Sequence, residues 1–158
     1  MELSIQDILT RLILATVLAG LIGIEREVRG KPAGVRTNAL IGLGSASMTM
    51  CGLFIAAMSP ISDPARVASV IVQGIGFLGA GAIIQSSGTI RGLTTAATMW
   101  VVAGIGMACG MGFYDIALAV SLIALVLLVI FGPLDAKLMG DENQNGGLVN
   151  RLFKKDRK

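Results

Sequence analysis

The chain has 158 residues, of which 54% are hydrophobic and 15% charged, with a net charge of +3, 21 glycines and no histidine; its mean hydropathy is +0.78. These values exclude an ordinary soluble domain, in which about 25% of residues are charged. With no histidine, no nucleophile beside a base and no run of metal ligands, no enzyme activity, metal site or cofactor is expected.

A membrane-spanning helix needs about 20 mostly apolar residues. Five stretches meet or approach that length, at residues 5–24, 38–57, 67–84, 93–109 and 113–134. The predicted fold is therefore an all-α polytopic membrane protein. Residues 1–136 form a five-helix transmembrane domain and residues 137–158 a short basic tail. The first apolar run is read as a helix, not a removable signal, because Glu2 and Asp7 precede its first base, Arg11, and no small-residue cleavage site follows.

Between the first two apolar runs lies GIEREVRGKPAGVRT, residues 23–37, a cluster of charge in a chain that has little. Five spans put this loop (Arg26, Arg29, Lys31, Arg36), Arg91 and the tail (Lys137, Arg151, Lys154, Lys155, Arg157, Lys158) on one side of the membrane. That is eleven of the 13 bases; only Arg11 and Arg66 lie opposite. Cytoplasmic loops hold the excess of Lys and Arg, so the N-terminus is expected outside and the C-terminus in the cytoplasm.

Glycines indicate how the helices meet, because small residues let helix backbones approach closely in lipid. Gly74, Gly76, Gly79 and Gly81 mark the third helix, and Gly104 and Gly106 the fourth, as expected packing positions. The string GIGFLG matches a dinucleotide-binding glycine pattern, but it lies inside an apolar run without the following acidic residue that such a site requires. A shift of 58 residues lays 34–52 on 92–110 with identities at Gly34/Gly92, Thr37/Thr95, Ala39/Ala97, Cys51/Cys109 and Gly52/Gly110. Such a shift suits a helix pair repeated in parallel. Cys51 and Cys109 fall toward the outer ends of their helices, as a disulfide or as free thiols, and Trp100 is read as a packing residue.

Three segments, GIEREVRGKPAGVRTNALIGLGSA, GIGFLGAGAII and RGLTTAATMWVVAGIGMACGMG, together resemble the MgtC/SapB family of bacterial inner-membrane proteins over most of residues 11–114. The resemblance implies a multi-pass inner-membrane protein linked to growth at low magnesium and, in pathogens, to survival inside host cells. Inhibition of ATP synthase is implied for some members, which makes ATP synthase or another membrane complex the expected partner. Larger members carry a soluble C-terminal domain resembling an ACT domain, and the resemblance makes this chain an expected short form without it.

On the expected topology Glu25, Arg26, Arg29, Arg36, Thr37, Arg91, Thr94 and Thr95 share the cytoplasmic face with the positive ends of the second and fourth helices. They read either as an anion site or as an internal lock, in which Glu25 pairs with Arg29 four residues on and Glu25 or Glu27 satisfies Arg36 or Arg91. A magnesium ligand set is disfavoured, since arginines flank the carboxylates. Arg11 either pairs with Asp7 at the interface or faces a cavity with Arg66 and Gln73. The remaining partners expected are membrane lipid, met by the tail, and further copies of the chain, with no nucleic acid. A small oligomeric transporter or channel for an anionic or neutral solute is the alternative function.

Overall fold

The computed structural model of the chain describes residues 3–58, 61, 63, 65–86 and 89–132, the side chains of 85, 86 and 89 excepted. The first helix, α1 (Ile5–Val28), begins on a capping box: Ser4 Oγ accepts from the Asp7 N–H, and the Asp7 carboxylate accepts from the Ser4 N–H and hydroxyl. It ends where Gly30, at φ +61°, takes the left-handed conformation. There the Gly30 and Lys31 amides donate to the carbonyls of Glu27 and Arg26, closing a Schellman motif. Then follow α2 (Val35–Met58), α3 (Ala65–Ala82), strands β1 (Ile84–Ser86) and β2 (Thr89–Arg91), α4 (Leu93–Met111) and α5 (Tyr114–Gly132).

The five helices are each long and apolar enough to cross a membrane. A helix answers the bilayer's demand that every backbone polar group be satisfied within the segment. Several hydroxyls are satisfied the same way: Thr10, Thr16, Thr49, Thr98 and Ser121 each donate to the carbonyl four residues earlier.

One expected boundary is corrected. The third helix stops at Ala82, and Ile84 pairs with Arg91 in an antiparallel two-stranded ribbon. The physical reason is local: IQSSGTIR sets β-branched residues on both sides of a Ser–Gly turn signal, and polarity at this point gives a helix no apolar stripe to bury. Gly92 follows the ribbon at φ +92°, and a Cβ there would run into the Ala82 carbonyl, so the ribbon returns directly onto the end of α3.

Residues 1–125 make one compact unit, holding α1 to α4 and the start of α5; a second unit covers 126–158, of which the described part, 126–132, is the exposed apolar end of α5. Within the first unit α2 and α4 run parallel, since Gly106 meets Gly42 and Ser45 while Gly110 meets Ala46 and Thr49. Their first residues, Val35 and Leu93, stand 58 positions apart, the same offset that aligns the two sequence segments. The remaining two helices run the other way: Gly23 of α1 lies on Gly34 and Val35, and Gly79 of α3 lies on Ala96. The ends of α1 and α3 and the starts of α2 and α4 therefore share one end of the unit. Ile22, Val102 and Ile105 fill the centre with no exposed surface, beside Ala15, Ala19 and Ala46.

Four of the expected packing glycines face outward. An added Cβ at Gly74, Gly76, Gly81 or Gly104 would meet nothing within 4 Å, whereas Gly79 and Gly106 stand at helix crossings. The difference is angular, because each open glycine sits one or two residues from a buried position and so points away from the neighbouring helix. Trp100, expected to pack, is 56% exposed for the same reason. Cys51 is exposed and Cys109 buried, and both are free thiols.

Candidate functional site

The stripe of α1 that faces its neighbours reads Arg11, Ala15, Leu18, Ile22, Arg26, a spacing of three and four residues. Arginines thus stand at both ends of an otherwise apolar seam.

At the first end Arg11 does not pair with Asp7, which is held by the Ser4 cap. Its Nη1 donates to the Gly110 carbonyl at 2.7 Å. The end of α4 is otherwise closed by Gly112, at φ +84°, whose amide and that of Phe113 donate to the carbonyls of Cys109 and Ala108. Arg11 thus serves a terminal carbonyl that the turn leaves open, where a cation also complements the helix dipole. The cavity expected between Arg11, Arg66 and Gln73 is not formed by them, because Arg66 and Gln73 lie on the exposed face of α3.

At the other end stands the charged cluster. Glu25 Oε1 lies 2.7 Å from Arg29 Nε, and Glu25 Oε2 lies 3.8 Å from Arg26 Nη1. The Glu25 and Arg26 side chains are only 8% and 6% exposed, and Arg29 is 27% exposed. Carried along antiparallel helices from the Arg11–Gly110 contact, the fifteen residues to Arg26 span about 22 Å, which brings Arg26 level with the buried Thr95 in the first turn of α4. An arginine thus stands at each end of the seam, Arg11 bonded to α4 and Arg26 paired with Glu25 of its own helix.

Glu27 departs from expectation. It was a candidate partner for Arg36 or Arg91, but its Oε2 accepts from the Val35 N–H at 2.9 Å. A carboxylate therefore already occupies the positive start of α2, which leaves that helix end unsuited to a second anion. Arg36, Thr37, Arg91 and Thr94 are exposed, and among the described residues neither arginine has an ion-pair or hydrogen-bond partner. The ion pairs of the cluster are thus those of Glu25 with Arg26 and Arg29, and Arg36 and Arg91 have none among the described residues.

Asn38, which sequence reasoning passed over, is fully buried at this end. Its amide donates to the carbonyls of Ala33 and, at 3.1 Å, Gly34. It thereby holds the Pro–Ala–Gly turn, in which Ala33 takes a left-handed φ of +58°. An Asn in the first turn of an apolar run, just after Pro and Gly, is the signal that could have exposed this role. Beside the turn is a mostly apolar hollow of about 470 Å³, lined in part by Ala33, Thr37, Leu78, Thr95 and Met99. No group of His, Cys, Asp or Glu able to hold a metal ion occurs among the described residues.

Comparison with known proteins places this arrangement. The putative magnesium transporter YhiD of Escherichia coli K12 is 42% identical over 157 residues, covering 92% of this chain and 73% of that protein. Protein MgtC of Salmonella typhimurium LT2 is 48% identical over 114 residues, and protein MgtC of Brucella abortus is 42% identical over 120; the chain spans about half the length of each, 48% and 49%. No solved structure matches the chain. The family model for the MgtC family matches residues 12–137, which begins one residue after Arg11 and takes in Gly110 and the Glu25–Arg29 cluster, and the chain belongs to the MgtC family.

Proposed function

We propose that the protein is a non-enzymatic regulator in the bacterial inner membrane, serving magnesium homeostasis by binding another membrane complex, with ATP synthase the named candidate. The observation that carries this reading is the closed centre of the bundle. Ile22, Val102 and Ile105 have no exposed surface there, and Gly106 brings α4 into backbone contact with α2 at Gly42. A solute pathway needs polar groups or water along its length, and here the buried Thr49 and Thr98 hydroxyls are already bonded to carbonyls of their own helices. The exposed surface fits a binding role: Gly74 and Gly81 on α3 and Gly104 on α4 are open for approach by another helix. On this reading the charged end faces the cytoplasm, which the distribution of arginine and lysine supports, with Arg36 and Arg91 offered to an acidic partner or to anionic lipid.

The name of the YhiD relative favours transport of magnesium as the second reading. Two measurements separate the readings. Tagged protein isolated from native membranes under magnesium limitation is expected to bring ATP synthase subunits with it, and less of them from an Arg36→Ala strain. Purified protein in liposomes loaded with a magnesium-sensitive dye is expected to give no flux above empty vesicles. Flux without co-purification would replace the regulator with a transporter.

A further inference from the structure

The third helix carries a polar group that no described residue satisfies. Gln73 lies eight residues from Ala65 and nine from Ala82, the ends of α3. At 1.5 Å per residue that places it about 12 Å from either end, near the bilayer midplane. It is exposed, and among the described residues it has no hydrogen-bond partner. The serine and threonine hydroxyls cited above bond back to their own helices, but a glutamine carboxamide has two donors and an acceptor and no such local solution. Lipid offers none, and the side chain is too short to reach water from that depth.

The surroundings of Gln73 define a face. Ile71, Ile75 and Gly79 are the buried residues of α3, and Gln73 is two residues from Ile71 and from Ile75, hence on the opposite side of the helix. On that side Arg66, Ser69, Gln73, Gly76 and Ala80 recur at three and four residues, and all are exposed. Ser69 already bonds to the Arg66 carbonyl, Gly76 has nothing within 4 Å of an added Cβ, and Ala80 is small. A second helix can approach this stripe closely, and Gln73 is the group that gains most when it does.

We propose that α3 pairs with α3 of a second copy of this chain, in a two-fold dimer whose central contact is Gln73 against Gln73. The occupant follows from depth and chemistry. Two copies inserted the same way hold residue 73 at the same level of the bilayer, and a two-fold interface sets equal residues near the axis. A carboxamide complements another carboxamide, each donating to the other's oxygen. Arg66 meets its counterpart only at the rim, seven residues away, where the exposed Asp63 accompanies it.

The test uses the full chain in lipid bicelles, with donor-labelled and acceptor-labelled protein mixed for energy transfer and diluted with lipid. The parent is expected to dimerise, Gln73→Leu to weaken the dimer by about five- to thirtyfold, and Gln73→Asn to retain most of it, given typical strengths of such bonds between membrane helices. In a background with Cys51→Ala and Cys109→Ala, single replacements Ser69→Cys, Gln73→Cys and Gly76→Cys are expected to cross-link between copies, and Gly74→Cys, exposed but off that stripe, is not. A monomeric parent, a Gln73→Leu dimer as tight as the parent, or cross-linking through Gly74→Cys equal to that through Gly76→Cys would each overturn the proposal.

Discussion

Replacing Glu25 by Gln tests the lock directly. In the parent the carboxylate stands 2.7 Å from Arg29 Nε and 3.8 Å from Arg26 Nη1, with the Glu25 and Arg26 side chains more than nine-tenths buried. At about 4 Å and an effective dielectric near 20, one such pair interacts by roughly 4 kcal/mol before desolvation is counted. Gln is nearly isosteric, so the substitution removes the charge and little else, and Arg26 is left as an uncompensated buried cation. Breaking a buried pair from one side costs about 3–5 kcal/mol. The lower end applies here, because Arg29 is 27% exposed and turns to water when released. Equilibrium unfolding in mixed detergent micelles should therefore show Glu25→Gln about 3 kcal/mol less stable than the parent. The double variant Glu25→Leu/Arg26→Met removes both charges, and it is expected to return to within about 1 kcal/mol of the parent. If Glu25→Gln unfolds with the parent, or the double variant is no better than the single, the cluster does not act as a lock.

Gly106→Leu should lower folded yield sharply, because a Cβ there meets Ser45 Cβ at 2.8 Å as well as the Gly42 carbonyl, while Gly104→Leu, with nothing within 4 Å, should leave yield unchanged; size-exclusion profiles of the two compare them. Arg11→Leu is expected to cost about 1–3 kcal/mol by leaving the Gly110 carbonyl unsatisfied, with Arg11→Lys recovering part of it, measured by the same unfolding assay. Glu27→Gln should cost about 0.5–1 kcal/mol, since the amide oxygen still accepts from the Val35 N–H but the charge at the start of α2 is lost. In folded protein a thiol reagent should label Cys51 readily and Cys109 only after unfolding, as read by mass spectrometry.

The five helices are legible in the sequence because the apolar runs exceed what anything but a spanning segment can use, and the structure moves their described ends by four residues at most. The ribbon at Ile84 and Arg91 was not, because a three-residue strand carries too little periodicity to compete with the apolar run before it. Within the site, the Glu25–Arg29 spacing announced its ion pair, since four residues on a helix fix the geometry locally. Arg11 on Gly110 was hidden because the contact joins residues 99 positions apart and depends on how α1 lies against α4. The glycines show the same limit: composition marks α3 and α4 as able to pack closely, but only the helix crossings decide that Gly106 is used and Gly104 is not.

The two helix pairs, alike in direction and in the 58-residue offset of α2 and α4, differ in how their members are held, and the difference bears on function. In both, a glycine near the end of the first helix, Gly23 or Gly79, lets the next helix start close by. The first pair adds the Glu25 ion pairs, the Glu27 bond to Val35, and the Asn38 bonds to the turn. At the junction of the second pair no ion pair occurs among the described residues, and a two-stranded ribbon joins it. Accordingly α3 buries little of its surface and, among the described residues, leaves Gln73 without a hydrogen-bond partner, while Arg11 ties α1 to α4. A bundle that only needed to be stable would gain from closing both pairs alike. Rigidity concentrated in α1 and α2, with an incompletely satisfied face left on α3, is what the proposed pairing of α3 with a second copy would use.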